Sequence, residues 1–322
     1  MRMERRGIII HPEDISPLWP QRLHQAGINV LGLHPVGGAG APASLRAALA
    51  NRDHPDMRRF LRALDRLGIA VEYEMHTLGY LLPPELLARH PEFFPMDSGG
   101  MRRSGPNMCA THPDALDYVA GQSYRLARQL PSQTHRYYFW LDDTATAGCQ
   151  CPQCRGLSPS DQQLRILNAM LAGIRQADPK GMLAYLAYVS TLMPPVATRP
   201  SDGIFLEYAP IQRDFHRPLA DGRCEKNVKE RAQLPALLGF FGVQHAQVLE
   251  YWMDNSLYSG WKRPPQPFAL DQAVMAADLA YYAGLGFNSV TSFGCFLGPD
   301  YEALYGEPPL DAYGRLLSQP LL

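Results

Sequence analysis

Short apolar runs of strand length alternate along this chain with longer stretches whose apolar residues recur at helical spacing. Eight runs read as strands, at residues 7–10, 29–33, 70–75, 136–141, 182–188, 203–206, 246–249 and 288–292. Between them, residues 55–67 place Met57, Phe60, Leu61, Leu64 and Leu67 on one helical face. Residues 113–130 read as a long amphipathic helix with Thr111 as its cap, and residues 160–177 as another that opens on a polar first turn. Helices are also predicted over 228–240 and 270–285. Gly27 and Gly68 each end a helix just before a strand. Strand and helix alternating in this way imply a parallel sheet, and eight is the closing number of the (β/α)8 barrel. The expected fold is therefore an α/β TIM barrel in one domain, residues 1–322. The other α/β possibility is a doubly wound open sheet, but no Gly-rich dinucleotide fingerprint follows the first strand. The segment 37–40 reads as a flexible loop, with no helix start at the required spacing.

Composition narrows the function more than the fold. The 322 residues carry 30 basic and 31 acidic side chains, a net charge of −1. No basic excess exists to neutralise phosphates, so nucleic acid is not expected as a partner. The apolar run near the N-terminus is too short for a signal core, and no stretch reaches the ~18 apolar residues of a membrane span. A cytoplasmic protein that does not engage membranes is expected. A homo-oligomer is compatible with the sequence.

Six cysteines are present, and Cys149, Cys151 and Cys154 fall within six residues after the fourth strand. Thiolates at that spacing in a turn can converge on one soft metal ion. Cys109, in the long loop after strand three, is the natural fourth ligand. A set of four cysteine ligands would be closed and structural, and Zn2+ is the expected ion. The bland alternative is a group of free thiols.

Acidic residues cluster where strands end. Asp142 and Asp143 follow strand four, Glu207 follows strand six, and Glu250 follows strand seven with Asp254 just beyond. Glu74 lies near the end of strand three. Paired carboxyl groups are what glycosidic cleavage needs: one donates a proton to the leaving oxygen, while the other attacks or activates water. Neighbouring residues of an extended chain point opposite ways, so Asp142 and Asp143 are expected to differ in role. Each of these acids taken alone reads as readily as a helix cap or an ion-pair partner. Tyr188, Tyr208, Tyr251, Trp252 and Trp261 lie near them, and aromatic faces suit the apolar side of a sugar. His11, His34 and His76 follow the first three strands and suit sugar hydroxyls or, alternatively, a hydrolytic metal. Arg213 and His216 suit an anionic group on the ligand.

The segments Trp140-Leu-Asp-Asp143, Cys149-Gln-Cys-Pro-Gln-Cys154 and Ser158-Pro-Ser-Asp161 resemble the barrel family known as domain of unknown function 4838. Glu207-Tyr-Ala-Pro-Ile211 with Arg213 and His216, and Leu249-Glu-Tyr-Trp-Met-Asp254 with Ser256, are similar to the same family. That family stands among glycoside hydrolase barrels. The cysteine arrangement is similar to the structural zinc site of family 42 β-galactosidases. In that clan the acid/base closes strand four and the nucleophile closes strand seven. The resemblance thus implies Asp143 or Asp142 as acid/base and Glu250 as nucleophile. His76, Tyr188, Glu207, Arg213, His216, Trp252, Asp254 and Trp261 are the expected substrate-binding residues. The chain has Asp-Asp where that clan has Asn-Glu. The pair is also similar to the Asp-Glu pair of family 20 hexosaminidases, in which the acetamido group of the substrate attacks. The expectation is a glycosidase acting on a terminal or small sugar. The alternatives are a substrate-assisted N-acetylhexosaminidase-like enzyme, a non-catalytic carbohydrate-binding barrel, and a metal-dependent hydrolase.

Overall fold

A computed structural model of the chain describes residues 3–144 and 148–320. Its strands are β1 Arg5–Ile10, β2 Val30–Leu33, β3 Ala70–His76, β4 Arg136–Trp140, β5 Met182–Ala187, β6 Ile204–Tyr208, β7 Gln247–Glu250 and β8 Ser289–Ser292. They run in chain order around a closed barrel, and helices separate them in sequence. The (β/α)8 fold expected from the alternation is the fold observed. Among the described residues no helix is long and apolar enough to cross a membrane.

Compact units divide the chain in two, with the boundary passing through β3 and β6. The first comprises residues 1–34, 52–72 and 207–322. There β1 pairs with β2 and β8, and β7 pairs with β6 and β8, all parallel. Polar side chains of β1, β6, β7 and β8 join in one largely buried network. Arg5 makes a two-pronged ion pair with Glu72, at 2.8 and 2.7 Å, and donates to Ser289. Ser289 donates to Gln247, which in turn donates to Glu207 and Thr291. Desolvated polar groups persist only when bonded to one another in this way.

The second unit comprises residues 35–51 and 73–206. The β3–β4 pairing sets His76 beside Trp140, and β4 pairs with β5. Helix Pro159–Ala177 begins at Ser158, whose hydroxyl accepts from the Asp161 amide at 3.0 Å. Leu164, Leu167, Met170, Leu171 and Ile174 of that helix are buried, as their spacing predicts.

Several local expectations are corrected. The segment 37–40 is not a free loop. Gly38–Gly40 forms a tight turn that runs directly into helix Ala41–Asn51. Alanine carries that helix, and its weak apolar pattern hides it from a periodicity reading. The predicted helix at 228–240 is two helices, Glu225–Arg231 and Leu234–Phe241. Pro235 explains the break: it offers no amide hydrogen, and its ring clashes with a carbonyl one turn back. Helix Pro113–Gln129 follows His112 rather than capping on Thr111, whose hydroxyl instead lies 3.2 Å from the Cys154 sulfur.

Candidate functional site

The second unit holds the end of β4. Asp142 is half-buried and gripped through its backbone and side chain. Its two carboxylate oxygens accept from the amides of Gly79 (2.9 Å) and Asn107 (2.7 Å). Its own amide donates to the Asn107 side chain at 3.0 Å. Asn107 has φ of 65°, a left-handed conformation that Asn tolerates better than most residues. Asp143, next in sequence, is exposed. Tyr188 donates its hydroxyl to Asp143 Oδ1 at 3.1 Å. Tyr188 closes the β5 segment, and the chain turns sharply after it: Val189 has φ of 46°, a strained value for a β-branched residue. The two adjacent acids therefore sit in different environments.

His76 ends β3 and is half-buried. Its Nδ1 lies 2.6 Å from the Leu141 carbonyl oxygen. A carbonyl can only accept, so Nδ1 carries a proton and donates it. A β-carbon on Gly37 would stand 3.1 Å from His76 Cδ2 and 3.6 Å from Asp143 Oδ2, which places the three residues together. A cleft of about 450 Å3 opens beside the acids, lined by Pro42, Leu82, Phe94, Pro106, Asp142 and Asp143 among others.

The four cysteines also meet in this unit. Cys109, Cys149, Cys151 and Cys154 are all buried, and their sulfurs lie within 4.8 Å of one another. They could hold one metal ion. Gln162 stitches the turn that carries them: its Oε1 accepts from the Cys149 amide, and its Nε2 donates to the carbonyls of Cys149, Cys154 and Leu157. The Met96 amide points at the Cys149 sulfur at 3.3 Å. Arg102 donates to the carbonyls of Glu92 and Phe94, in the segment that leads to Met96.

The first unit places several of the expected site residues in buried networks. Glu250 is not a mouth-facing carboxylate. Along β7, Gln247 faces the polar interior formed with Glu207, Thr291 and Ser289. Three residues later the side chain must face the opposite way. Glu250 accordingly turns toward helix Gln272–Gly284, with no exposed surface. Its Oε1 accepts from Arg213 at 2.6 Å and from Tyr282 at 2.5 Å, and its Oε2 accepts from the Tyr251 amide. Burial pushes the Glu250 carboxyl up to about 7, with Arg213 opposing the rise and Asp278 adding to it. Arg213 is not a free anion binder either: the same nitrogen that meets Glu250 meets Asp278 at 2.7 Å.

Trp252 is buried and donates its indole N–H to Asp278. Asp254 caps helix Asn255–Tyr258, accepting from the amides of Ser256 and Leu257. Glu207 lies fully buried within β6, bonded to Gln247. His216 and Trp261 are exposed. A run of rings also meets in this unit. Tyr251 packs against Phe215 and Phe293, and Phe293 against His34. The His11 Nδ1 donates to the His34 carbonyl oxygen at 2.8 Å. The pairing of an aromatic with each strand end was the available signal.

Comparison with known proteins bears on fold and family. A β-galactosidase from the psychrophilic Marinomonas ef1 aligns with a TM-score of 0.53 at 13% identity, covering 90% of this chain and 53% of that one. A cold-adapted β-galactosidase from Rahnella sp. R3 aligns with a TM-score of 0.53 at 11% identity, covering 98% and 56%. A mutant O-GlcNAc hydrolase from Thermobaculum terrenum aligns with a TM-score of 0.55 at 8% identity, covering 98% and 59%. At these identities the likeness is one of fold. The chain spans little more than half the length of these proteins. No curated protein matches it in sequence. The family described as Domain of unknown function (DUF4838) matches residues 50–259, and with about two thirds of its length inside that match the chain belongs to this family.

Proposed function

We propose that this chain hydrolyses a terminal or small glycoside, and that its chemistry is carried by the adjacent acids Asp142 and Asp143. Of the two routes the sequence leaves open, the substrate-assisted one is favoured. The observation that carries this choice is the setting of Glu250, whose carboxylate is spent on Arg213 and Tyr282 and turned toward a helix. A nucleophile then has to come from elsewhere, and a 2-acetamido group on the substrate supplies one. In this reading the protonated Asp143 donates to the glycosidic oxygen as the bond to the anomeric carbon breaks. The acetamido carbonyl oxygen attacks that carbon and closes a cyclic oxazoline. Asp142 accepts the acetamido N–H. Its oxygens already accept two amides, and a carboxylate has room for about four hydrogen bonds. Water then opens the ring, passing its proton to Asp143. His76 and Tyr188 flank the site and suit sugar hydroxyls. The fold similarity to an O-GlcNAc hydrolase and to β-galactosidases supports a glycosidase-like role without selecting the sugar.

The test is a pair of 4-nitrophenyl glycoside sets, one with a 2-acetamido group and one with a 2-hydroxyl. The 2-acetamido set is expected to turn over on the order of 10³-fold faster, because the attacking group is held intramolecularly. Equal rates would overturn the substrate-assisted reading. Glycan binding without any turnover would favour a binding barrel.

The cysteine group is best read as a structural Zn2+ site. Sulfurs around a tetrahedral zinc with ~2.3 Å bonds lie ~3.8 Å apart. Cys109 lies 3.8 Å from both Cys151 and Cys154. Four sulfur ligands close the coordination sphere, so the ion would hold loops together and take no part in catalysis. Purified protein is expected to contain one zinc per chain by elemental analysis. Cys109→Ser is expected to lose the metal and to lower Tm by on the order of 10 °C, since binding energy here is folding energy. Metal-free protein with four freely titrating thiols would contradict the assignment.

A further inference from the structure

The second unit holds another and smaller pocket, of about 40 Å3, between the segments that follow β4 and β5. Asp142, His76 and Tyr188 line it. Two of its polar side chains are already engaged. Gln162 is spent on the cysteine turn, and the Thr191 hydroxyl lies 2.9 Å from the carbonyl oxygens of Leu186 and Tyr188. Gln163 differs. It is 8% exposed, and its Nε2 donates to the Leu186 carbonyl at 2.9 Å. A carbonyl only accepts, so that contact fixes which end of the amide is nitrogen and leaves Oε1 as an acceptor. Among the described residues nothing donates to Oε1, although Gln163 lines the pocket. The Ser190 hydroxyl, half-buried on the same lining, also has no partner among the described residues. A buried amide oxygen costs free energy unless a donor reaches it.

We infer that this pocket receives the acyl chain on the 2-amino group of the substrate, and that Gln163 selects a chain ending in a hydroxyl, hydroxyacetyl over acetyl. The inference rests on the reading of Asp142 as acceptor of the substituent's N–H. A secondary amide is trans, so its N–H and its acyl carbon lie on the same side of the C–N bond, opposite the carbonyl oxygen. An N–H held by Asp142 therefore carries the acyl carbon along the Asp142 wall, while the carbonyl oxygen is turned toward the anomeric carbon. The larger cleft also touches Asp142, but at about 450 Å3 it is too wide to grip so short a chain. About 40 Å3 admits ~3 heavy atoms, which suits a short acyl end and excludes a long one. A terminal hydroxyl donates to Gln163 Oε1. A methyl cannot, and an ethyl of matching size covers the oxygen without replacing the donor.

The test compares two acyl groups of equal size. Methyl 1-thioglycosides of glucosamine and galactosamine, which resist cleavage, are prepared with N-hydroxyacetyl and N-propanoyl groups and titrated by calorimetry against the whole protein. The hydroxyacetyl compound is expected to bind on the order of 10-fold more tightly, the worth of one hydrogen bond to a buried acceptor. Gln163→Met keeps the length of the side chain and removes the acceptor, and should erase the preference. Ser190→Ala should keep most of it. The wild-type comparison decides by itself should Gln163→Met fail to fold. Equal affinities, a preference that survives Gln163→Met, a preference lost in Ser190→Ala, or no binding of either compound overturns the inference. Hydrolysis of the matching 4-nitrophenyl O-glycosides separates the two readings. Preference without hydrolysis keeps the pocket and overturns the hydrolytic reading alone, and hydrolysis without preference does the reverse.

Discussion

Arg213→Ala is expected to destabilise the protein by about 3–5 kcal/mol, the usual consequence of removing one partner from a buried ion pair. The reason lies in charge accounting. The side chains of Arg213, Glu250 and Asp278 are all at 0% exposure, and one guanidinium serves two carboxylates. Arg213 also donates to the Arg217 carbonyl, which ties the loop after β6 to the same point. Without the guanidinium, two carboxylates face each other in a desolvated site. Glu250 already resists ionisation through burial. The loss would show as a lower urea midpoint with an unchanged m-value. Arg213→Lys should recover only part of it, since an ammonium is a point charge without the planar fork. In an Arg213→Ala, Glu250→Gln double variant the loss should shrink, because one of the stranded charges is gone. Wild-type stability in Arg213→Ala would mean that the pair is not buried as described.

The cysteine group and the barrel were legible from sequence for simple reasons. Ligand spacing in a turn is local, and strand-helix alternation repeats. The orientation of Glu250 was not legible because β7 is buried on both faces, so its apolar run shows no inside or outside. Gln247 held the missing signal. A polar residue inside such a strand marks the polar face, and counting on from it turns Glu250 away. Trp252 depended on Asp278, which lies on a helix 26 residues further along, and nothing local foretells that contact. Asp254 was more readable, since an Asp just ahead of Asn-Ser-Leu is an ordinary capping pattern. At Asp142 and Asp143 the sequence showed two acids, but the grip of Asn107 on one and Tyr188 on the other comes from tertiary structure.

The central claim is that Asp143 gives a proton to the leaving oxygen, and Asp143→Asn tests it. Folding should be unaffected, because Asp143 is exposed and Tyr188 can donate to an asparagine oxygen as readily as to a carboxylate. Removing a general acid is expected to lower kcat/KM by about 10²–10⁴-fold when the leaving group is a poor one, such as an alkyl alcohol. An activated leaving group departs without protonation, so the deficit should shrink toward unity with a dinitrophenyl glycoside. The decisive measurement is the ratio of wild-type to Asp143→Asn kcat/KM across a series of 2-acetamido glycosides of rising leaving-group pKa. The ratio is predicted to climb steeply along the series. A ratio near one with the alkyl glycoside, or a large ratio independent of the leaving group, would contradict the assignment of Asp143 as the acid.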